Sequence, residues 1–380
     1  MQHLNTLLCL IFFSLAVLKS HVVSAQSLHL NSFDSEHGLS QNSINCSLTD
    51  AQGFQWFATQ GGLNRFDGYE FKRFKAHTSA TSISGNWITA CLKGTDNDLW
   101  FSTASKGLNR LDPTTGQFYT YSTFTNPQLS DDKIWSLAFD KSGNIWLGHE
   151  QGTLSYFDIA AQQFETYQVA ENTQQNIVIR DIIAVQNTLW LATSHGLLSF
   201  NPKTKQFKHD IALTSPLWHL NKLSSNQLLI GAKQGLYIFS IDTETCSELP
   251  QFKGVWITDS LLDNQHNLWL TSYGQGVYFL AAGGDIHTDV AHYRHDVQKP
   301  NGLKNDYLLS LYQDPQGIIW IGTDGFGIHR YDPKQQQFGH QSTTSSPHSL
   351  THNFIRAIIK RKNGQLWVGT REGLNRAITQ

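Results

Sequence analysis

The chain has 380 residues, among them 11 Trp, 12 Tyr, 22 Phe and 29 Gly. Only 15% are charged, 28 Lys and Arg against 30 Asp and Glu, for a formal charge of −2. So few charges beside so many aromatic rings exclude a coiled coil or a disordered chain, and the balanced charge leaves no broad positive field for nucleic acid or anionic lipid. The length suggests two or three domains unless internal repeats account for it.

At the N-terminus, Leu7 to Leu18 is an unbroken apolar run, too short for a bilayer core about 30 Å thick. Val23-Ser24-Ala25 follows as a small-x-small cleavage pattern, so residues 1–25 read as a secretory signal peptide and the mature chain as periplasmic. No later apolar run is long enough to span a membrane. Beyond residue 25 stand Cys46, Cys91 and Cys246, without the spacing of a zinc site or a disulfide framework. They read as small buried apolar residues, although Cys46 and Cys91 occupy equivalent segments of adjacent repeats, where a bridge is geometrically conceivable.

From Leu39 onward one unit recurs. Trp56-Phe57-Ala58-Thr59 with Gly62-Leu63-Asn64-Arg65-Phe66-Asp67 is followed by Trp100-Phe101-Ser102-Thr103 with Gly107-Leu108-Asn109-Arg110-Leu111-Asp112. Further copies stand at Trp146, Trp190, Trp269, Trp320 and Trp367, and a degenerate one at Leu229-Ile230-Gly231-Ala232, which makes eight. Twelve residues before each Trp slot stands an aliphatic anchor: Ile44, Ile88, Ile134, Val178, Leu217, Ile257, Leu308 and Ile355. Turn chemistry such as Asp50-Ala51-Gln52-Gly53 or Asp314-Pro315-Gln316-Gly317 lies between anchor and Trp, as a tight hairpin requires. Each repeat therefore predicts an inner strand, a hairpin, the Trp strand, a Gly loop, a third strand and an outer strand such as Gln117–Tyr121.

Four short strands about every 44 residues describe a β-propeller blade and fill residues 26–380 with one all-β domain. Eight four-stranded blades are the first expectation, with the spare strand Ser27–Phe33 supplying the fourth strand of the last blade and removing an open edge. The alternative is seven blades plus the start of a second propeller, which makes the chain part of something longer.

The pattern Leu-Ser-x-Asn-x-Ile, Asp-x-x-Gly-x-x-Trp-x-x-Thr and Gly-Leu-Asn-Arg-Phe-Asp resembles the two-component regulator propeller repeat from Leu39 to Arg376, weakly at Trp190 and Leu229. That resemblance implies a periplasmic sensor propeller of a hybrid histidine kinase or a diguanylate cyclase, detecting ligands such as oligosaccharides. The sequence departs from the family in showing no transmembrane helix, linking β-sandwich, kinase or receiver after the propeller, so signalling output is expected on a membrane partner.

In a propeller the loops feeding the inner strands and those after the Trp strands open at one mouth of the central channel. Four Trp are not repeat anchors: Trp87, Trp135, Trp218 and Trp256. All flank an aliphatic anchor, and Tyr307 and Phe354 share the slot of Trp87 and Trp256. These six rings suit stacking on a sugar or other flat ligand; the competing reading is that they fill a wide bore. Asn42, Asn86, Asp132, Asp306 and Asn353, two residues before their anchors, read as loop caps. Residues that break the repeat are better ligand candidates: Arg180, His219, Tyr273, Asp324, Phe326, Arg371 and Glu372. The recurring Arg65, Arg110, Arg330 and Arg376 are assigned to structure, pairing across blades with Asp67, Asp112, Asp158 and Asp332.

No metal, cofactor or catalytic motif is read: HExxH, G-x-S-x-G and GxxxxGK are absent, and Asp96-Asn97-Asp98 lacks the rest of a calcium loop. A sensory, ligand-binding propeller is the first expectation. A lyase-like enzyme resembling streptogramin lyases, with His195 or His219 as its base, is an alternative, and a non-signalling scaffold or truncated sensor is another.

Overall fold

Each repeat closes on itself as an antiparallel meander because short β-prone runs are separated by turns that reverse the chain. The computed structural model describes residues 28–169, 176–210, 213, 215–335, 343, 349–362 and 365–376; the signal-peptide reading at 1–25 lies outside them. Among the described residues the eight repeats form eight sheets, seven of four strands and one of three, so the all-β propeller architecture is borne out. The first blade shows the plan, with strands Ile44–Thr49, Gln55–Thr59, Gly62–Phe66 and Phe71–Phe74 paired in that order from the channel outward.

Three local devices explain the motif. In the hairpin, Asp50 Oδ1 accepts from the Gln52 and Phe54 amides while Oδ2 accepts from Trp56 Nε1 at 2.8 Å. Asp263 and Asp314 repeat this with Trp269 and Trp320. At the other end the hydroxyl of the Trp-x-x-Thr residue donates to the Gly carbonyl, as in Thr59 to Gly62 and Thr323 to Gly327. That Gly is obligatory: Gly107 has φ 75°, and a Cβ there would stand 2.1 Å from the Tyr121 carbonyl oxygen. The small residue two after the Trp clears the next blade, since a Cβ on Gly322 would lie 2.2 Å from Ser310 Oγ and 2.7 Å from the Ile44 carbonyl. Trp strands such as Leu99–Thr103 and Ile319–Thr323 are buried throughout, which is why the composition has so few charges.

Blade number is decided by closure. The inner strand of the seventh repeat, Leu308–Gln313, packs against Ile44–Thr49 of the first. Ser310 Oγ donates to the Ile44 carbonyl at 3.0 Å, Tyr312 Oη to Thr49 Oγ1 at 2.9 Å, and the Trp320 and Phe57 rings lie 5.1 Å apart. The ring therefore has seven blades, the alternative arrangement. The N-terminal strand is corrected with it: Leu30–Phe33 pairs with Ile328–Tyr331 and completes the seventh blade, not the eighth. The eighth repeat, with strands Ile355–Lys360, Leu366–Thr370 and Gly373–Arg376, stands outside the ring. A closed ring offers no free blade face, so Ile358 is 62% exposed where its counterparts Ile182 and Leu220 are 5% and 3% exposed.

Four smaller readings are settled. The anchor of the fourth blade is Ile179, which pairs with Thr193, rather than Val178, because the hairpin through Gln186, at φ 57°, is a residue shorter. Cys46 and Cys91 are not free: they form a disulfide between the first two inner strands, with Cα atoms 6.1 Å apart, inside the usual bridging range. Cys246 is free, its thiol pushed up to about 11 by burial. The repeated arginines act within their own blades: Arg330 pairs with Asp332 at 3.0 Å, Arg110 with Asp98 at 3.6 Å, and Arg65 lies over Phe54. Asp67, Asp112 and Asp158 accept turn amides instead.

A chain ending at Gln335 should keep the melting temperature of the full chain to within about 2 °C, whereas removal of Leu30–Phe33 should lower it by several degrees, since it exposes the edge of Ile328–Tyr331. Differential scanning calorimetry of the two truncations checks this; loss of the ring on removing residues 336–380 would contradict seven-blade closure.

Candidate functional site

The frame makes one mouth of the channel chemically variable while its backbone stays constant. In blade after blade the residue following the Thr slot donates its amide to the carbonyl of the residue preceding the anchor: Ala104 to Trp87, Tyr273 to Trp256 and Asp324 to Tyr307, at 2.8–3.0 Å. Every inner strand also bulges directly after its anchor, and a bulge re-aims a side chain. Three positions per blade thus converge on the rim.

In three of the seven blades the bulge residue ties neighbouring blades together. Asn45, Thr89 and Thr258 donate to the anchor carbonyls of the following blades, Ile88, Ile134 and Leu308. The third, fourth and fifth blades instead place Trp135, Arg180 and Trp218 there. The third compensates through Ser136, which donates to the Ile179 carbonyl at 3.0 Å.

The rim assembled this way gathers most of the residues singled out from sequence. Trp87 and Trp135 meet edge to face with centroids 6.4 Å apart. The Arg180 guanidinium lies 3.6 Å over Trp218, and contacts continue from Trp218 to Trp256 at 4.5 Å, to Tyr273 at 4.7 Å and to Tyr307 at 5.0 Å. Tyr273 Oη and Ser43 Oγ both donate to Asp324, at 2.9 and 2.7 Å, tying the sixth, seventh and first blades. Phe326 is exposed on the same loop as Asp324. Phe354, Arg371 and Glu372 belong to the eighth sheet and are not brought to the rim. Asn42, Asn86, Asp132, Asp306 and Asn353 all accept a loop amide at 2.6–2.8 Å, as loop caps do.

His219 sits behind the rim in the channel wall. Its Nδ1 lies 2.9 Å from Asp181 Oδ2 and its Nε2 3.3 Å from Asp259 Oδ1, the second an ion-pair contact without hydrogen-bond geometry. Burial opposes its proton, yet the carboxylates of Asp259 and Asp181 outweigh that and hold its pKa up at about 9. Asp181 and Asp259 also accept the Leu220 and Leu311 amides, so this trio links the fourth to seventh blades. Elsewhere, burial pushes His149 down to about 4 and His329 to about 3.

Sequence reasoning missed Asp181, Asp259, Glu150 and Lys233. Two residues after the true anchor the ring reads Cys46, Ala90, Ser136, Asp181, His219, Asp259 and Ser310, a run visible only once the fourth anchor is Ile179. Glu150, which accepts from Trp135 Nε1 at 3.2 Å, and Lys233, with Nζ 5.3 Å over Trp256, share the slot of Tyr273 and Asp324. A groove of about 450 Å³ at the opposite, hairpin end is lined by Trp146, Tyr156 and Tyr167. These rings pack on one another and on Phe200, which marks that groove as the outer edge of the core. Among the described residues no cluster of His, Cys, Asp or Glu is placed to hold a metal ion.

The signs of the histidine shifts give a pH dependence. The raised pKa of His219 contributes stability that is complete below about 6.5 and lost as pH rises through about 9; the depressed values of His149 and His329 remove stability as pH falls from about 6.5 toward 4. Histidine NMR titration should find His219 protonated to about pH 9, and Asp259→Asn should lower that midpoint by more than one unit. An unchanged midpoint would remove the carboxylate clamp.

Comparison with known proteins agrees with this architecture. The extracellular domain named for a hybrid two-component system of B. thetaiotaomicron superposes with a TM-score of 0.75 at 24% identity, over 93% of this chain and 49% of that one. A second extracellular domain from B. thetaiotaomicron, named for a one-component system, gives 0.67 at 19% identity, over 92% and 53%. A virginiamycin B lyase from Staphylococcus aureus gives 0.62 at 12% identity, over 79% and 98%. A curated histidine kinase from Formosa agariphila is 33% identical over 81 residues, 20% of this chain and 6% of that protein. The chain thus spans about half of the two extracellular domains and a small part of the kinase. The two-component regulator propeller family matches residues 128–151, 302–325 and 349–372. The chain is therefore a β-propeller in which these three segments match the two-component regulator propeller repeat.

Proposed function

We propose that this propeller is the ligand-recognising part of an extracellular or periplasmic sensor. Its channel mouth receives an oligosaccharide or another small ligand, and occupancy is passed to a membrane signalling protein such as a histidine kinase or diguanylate cyclase. The observation that carries the reading is the rim itself: aromatic side chains from blade after blade converge there, and Trp87 and Tyr307 remain 47% and 49% exposed although burial would favour covering them. Rings held by a closed frame offer contact area at little cost in ordering. The repeats shared with two-component regulators and the likeness to extracellular sensor domains support the same reading.

A lyase-like base at His219 is disfavoured by its surroundings. Both ring nitrogens face carboxylates and the proton is held to about pH 9, so at neutral pH the imidazole has no free lone pair with which to accept a proton.

A thermal-shift screen of the mature protein against oligosaccharides should raise the melting temperature by several degrees for a ligand of the mouth. Trp87→Ala and Trp256→Ala should each weaken that binding at least tenfold by calorimetry. Shifts that survive both substitutions would place the ligand elsewhere and make the rim packing alone.

A further inference from the structure

The carboxylates around the mouth already have partners on the protein. Glu150 takes Lys133 and Trp135, Asp324 takes Tyr273 and Ser43, and Asp181 and Asp259 enclose His219. Among the described residues, two cations in neighbouring blades do not. Arg180 makes no ion pair among the described residues, and its Nε and Nη1 are buried without an acceptor; burial without a counter-charge pushes its pKa down to about 10. Lys233, exposed on the adjacent blade, likewise has no carboxylate partner among the described residues. Each cation instead lies over an indole, Arg180 over Trp218 and Lys233 over Trp256, and those indoles touch. Trp256 Nε1 is a third buried donor without an acceptor.

Unfilled donors on a buried guanidinium are costly when left so, and a planar guanidinium is suited to bidentate capture of an oxyanion. We propose that the rim sector of the fourth to sixth blades takes an acidic saccharide, its carboxylate or sulfate held by Arg180 and Lys233 and its ring lying against Trp218 and Trp256. The inference rests on the mouth being the ligand site and adds the charge of the ligand. To turn Nε and Nη1 toward the oxyanion, Arg180 moves off the Trp218 face, so binding changes indole fluorescence.

The test is titration calorimetry with parallel Trp fluorescence on the mature protein. The probes are glucuronate, galacturonate and galactose 6-sulfate, against glucose and galactose, at low and high salt. The acidic sugars should bind at least tenfold more tightly than the neutral ones and lose affinity with salt. Galacturonate against galactose 6-sulfate separates a carboxylate site from a sulfate site. Arg180→Gln should weaken acid binding at least tenfold and Lys233→Gln several-fold, both with an unchanged melting temperature; Arg180→Lys, which keeps the charge, should retain part of the affinity and serves if Arg180→Gln misfolds. Neutral sugars that bind as well as acidic ones, or acid binding lost in Trp256→Ala but unchanged in Arg180→Gln, overturn the acidic preference and leave the mouth as a ligand site. If none of these sugars binds and no neutral oligosaccharide does, both readings fall.

Discussion

The structure turns on the contact between the first and seventh inner strands. Ser310 Oγ on the Ile44 carbonyl and Trp320 against Phe57 close a ring of like units, and closure fixes everything that depends on the size of the bore. A fully buried aromatic side chain contributes roughly 2–3 kcal/mol, and the Trp anchors pack on the neighbouring blade as well as on their own, as Trp146 does on Phe200 and on Tyr156. Leaving the seam open would expose such a face. Closing it with seven blades leaves the eighth repeat no face to cover, so the same sequence pattern that is core in Ile182 and Leu220 is solvent-exposed in Ile358.

The seam also explains how the mouth can vary without loss of the frame. Backbone bonds from the Thr loop to the residue before the anchor recur in five of the seven blades and the bulge after it in all seven, so side chains at these three positions are free to differ. Where Asn45, Thr89 and Thr258 spend the bulge position on joining blades, that position adds no ring or charge to the mouth. Where Trp135, Arg180 and Trp218 take it, blade joining is handed to Ser136 and to the Asp181, His219 and Asp259 trio one residue further along. The channel wall there is built of charge because the rim in front of it was released from structural duty.

Legibility in the sequence follows the same division. Trp56, Thr59, Gly62 and Asp50 were readable because each answers a local need, an indole partner, a hydroxyl bond, a positive φ or a hairpin cap, and local needs recur at fixed spacing. The rim aromatics were readable for the opposite reason, as departures from that spacing. Asp181 was hidden by a one-residue shift at Ile179, which comes from a shortened hairpin rather than from any residue near the site, and with it the part that Asp259 plays opposite His219. The arginines misled because Arg110 and Arg330 find partners in their own blade, where a pattern of alternating charge suggests pairs between blades.

By itself the sequence determined that the chain is built of eight like propeller-blade units and which residues each unit needs, since hydrophobic period, turn chemistry and the Gly requirement act within some forty residues. Only the tertiary structure decided that seven units close, that Leu30–Phe33 completes the seventh, that Phe354, Arg371 and Glu372 leave the site with the eighth, and that Arg180 reaches Trp218 with no acid among the described residues to meet it. Those outcomes depend on the blade tilt at which the inner strands of the first and last ring units meet, a quantity summed over the whole ring that no single repeat contains.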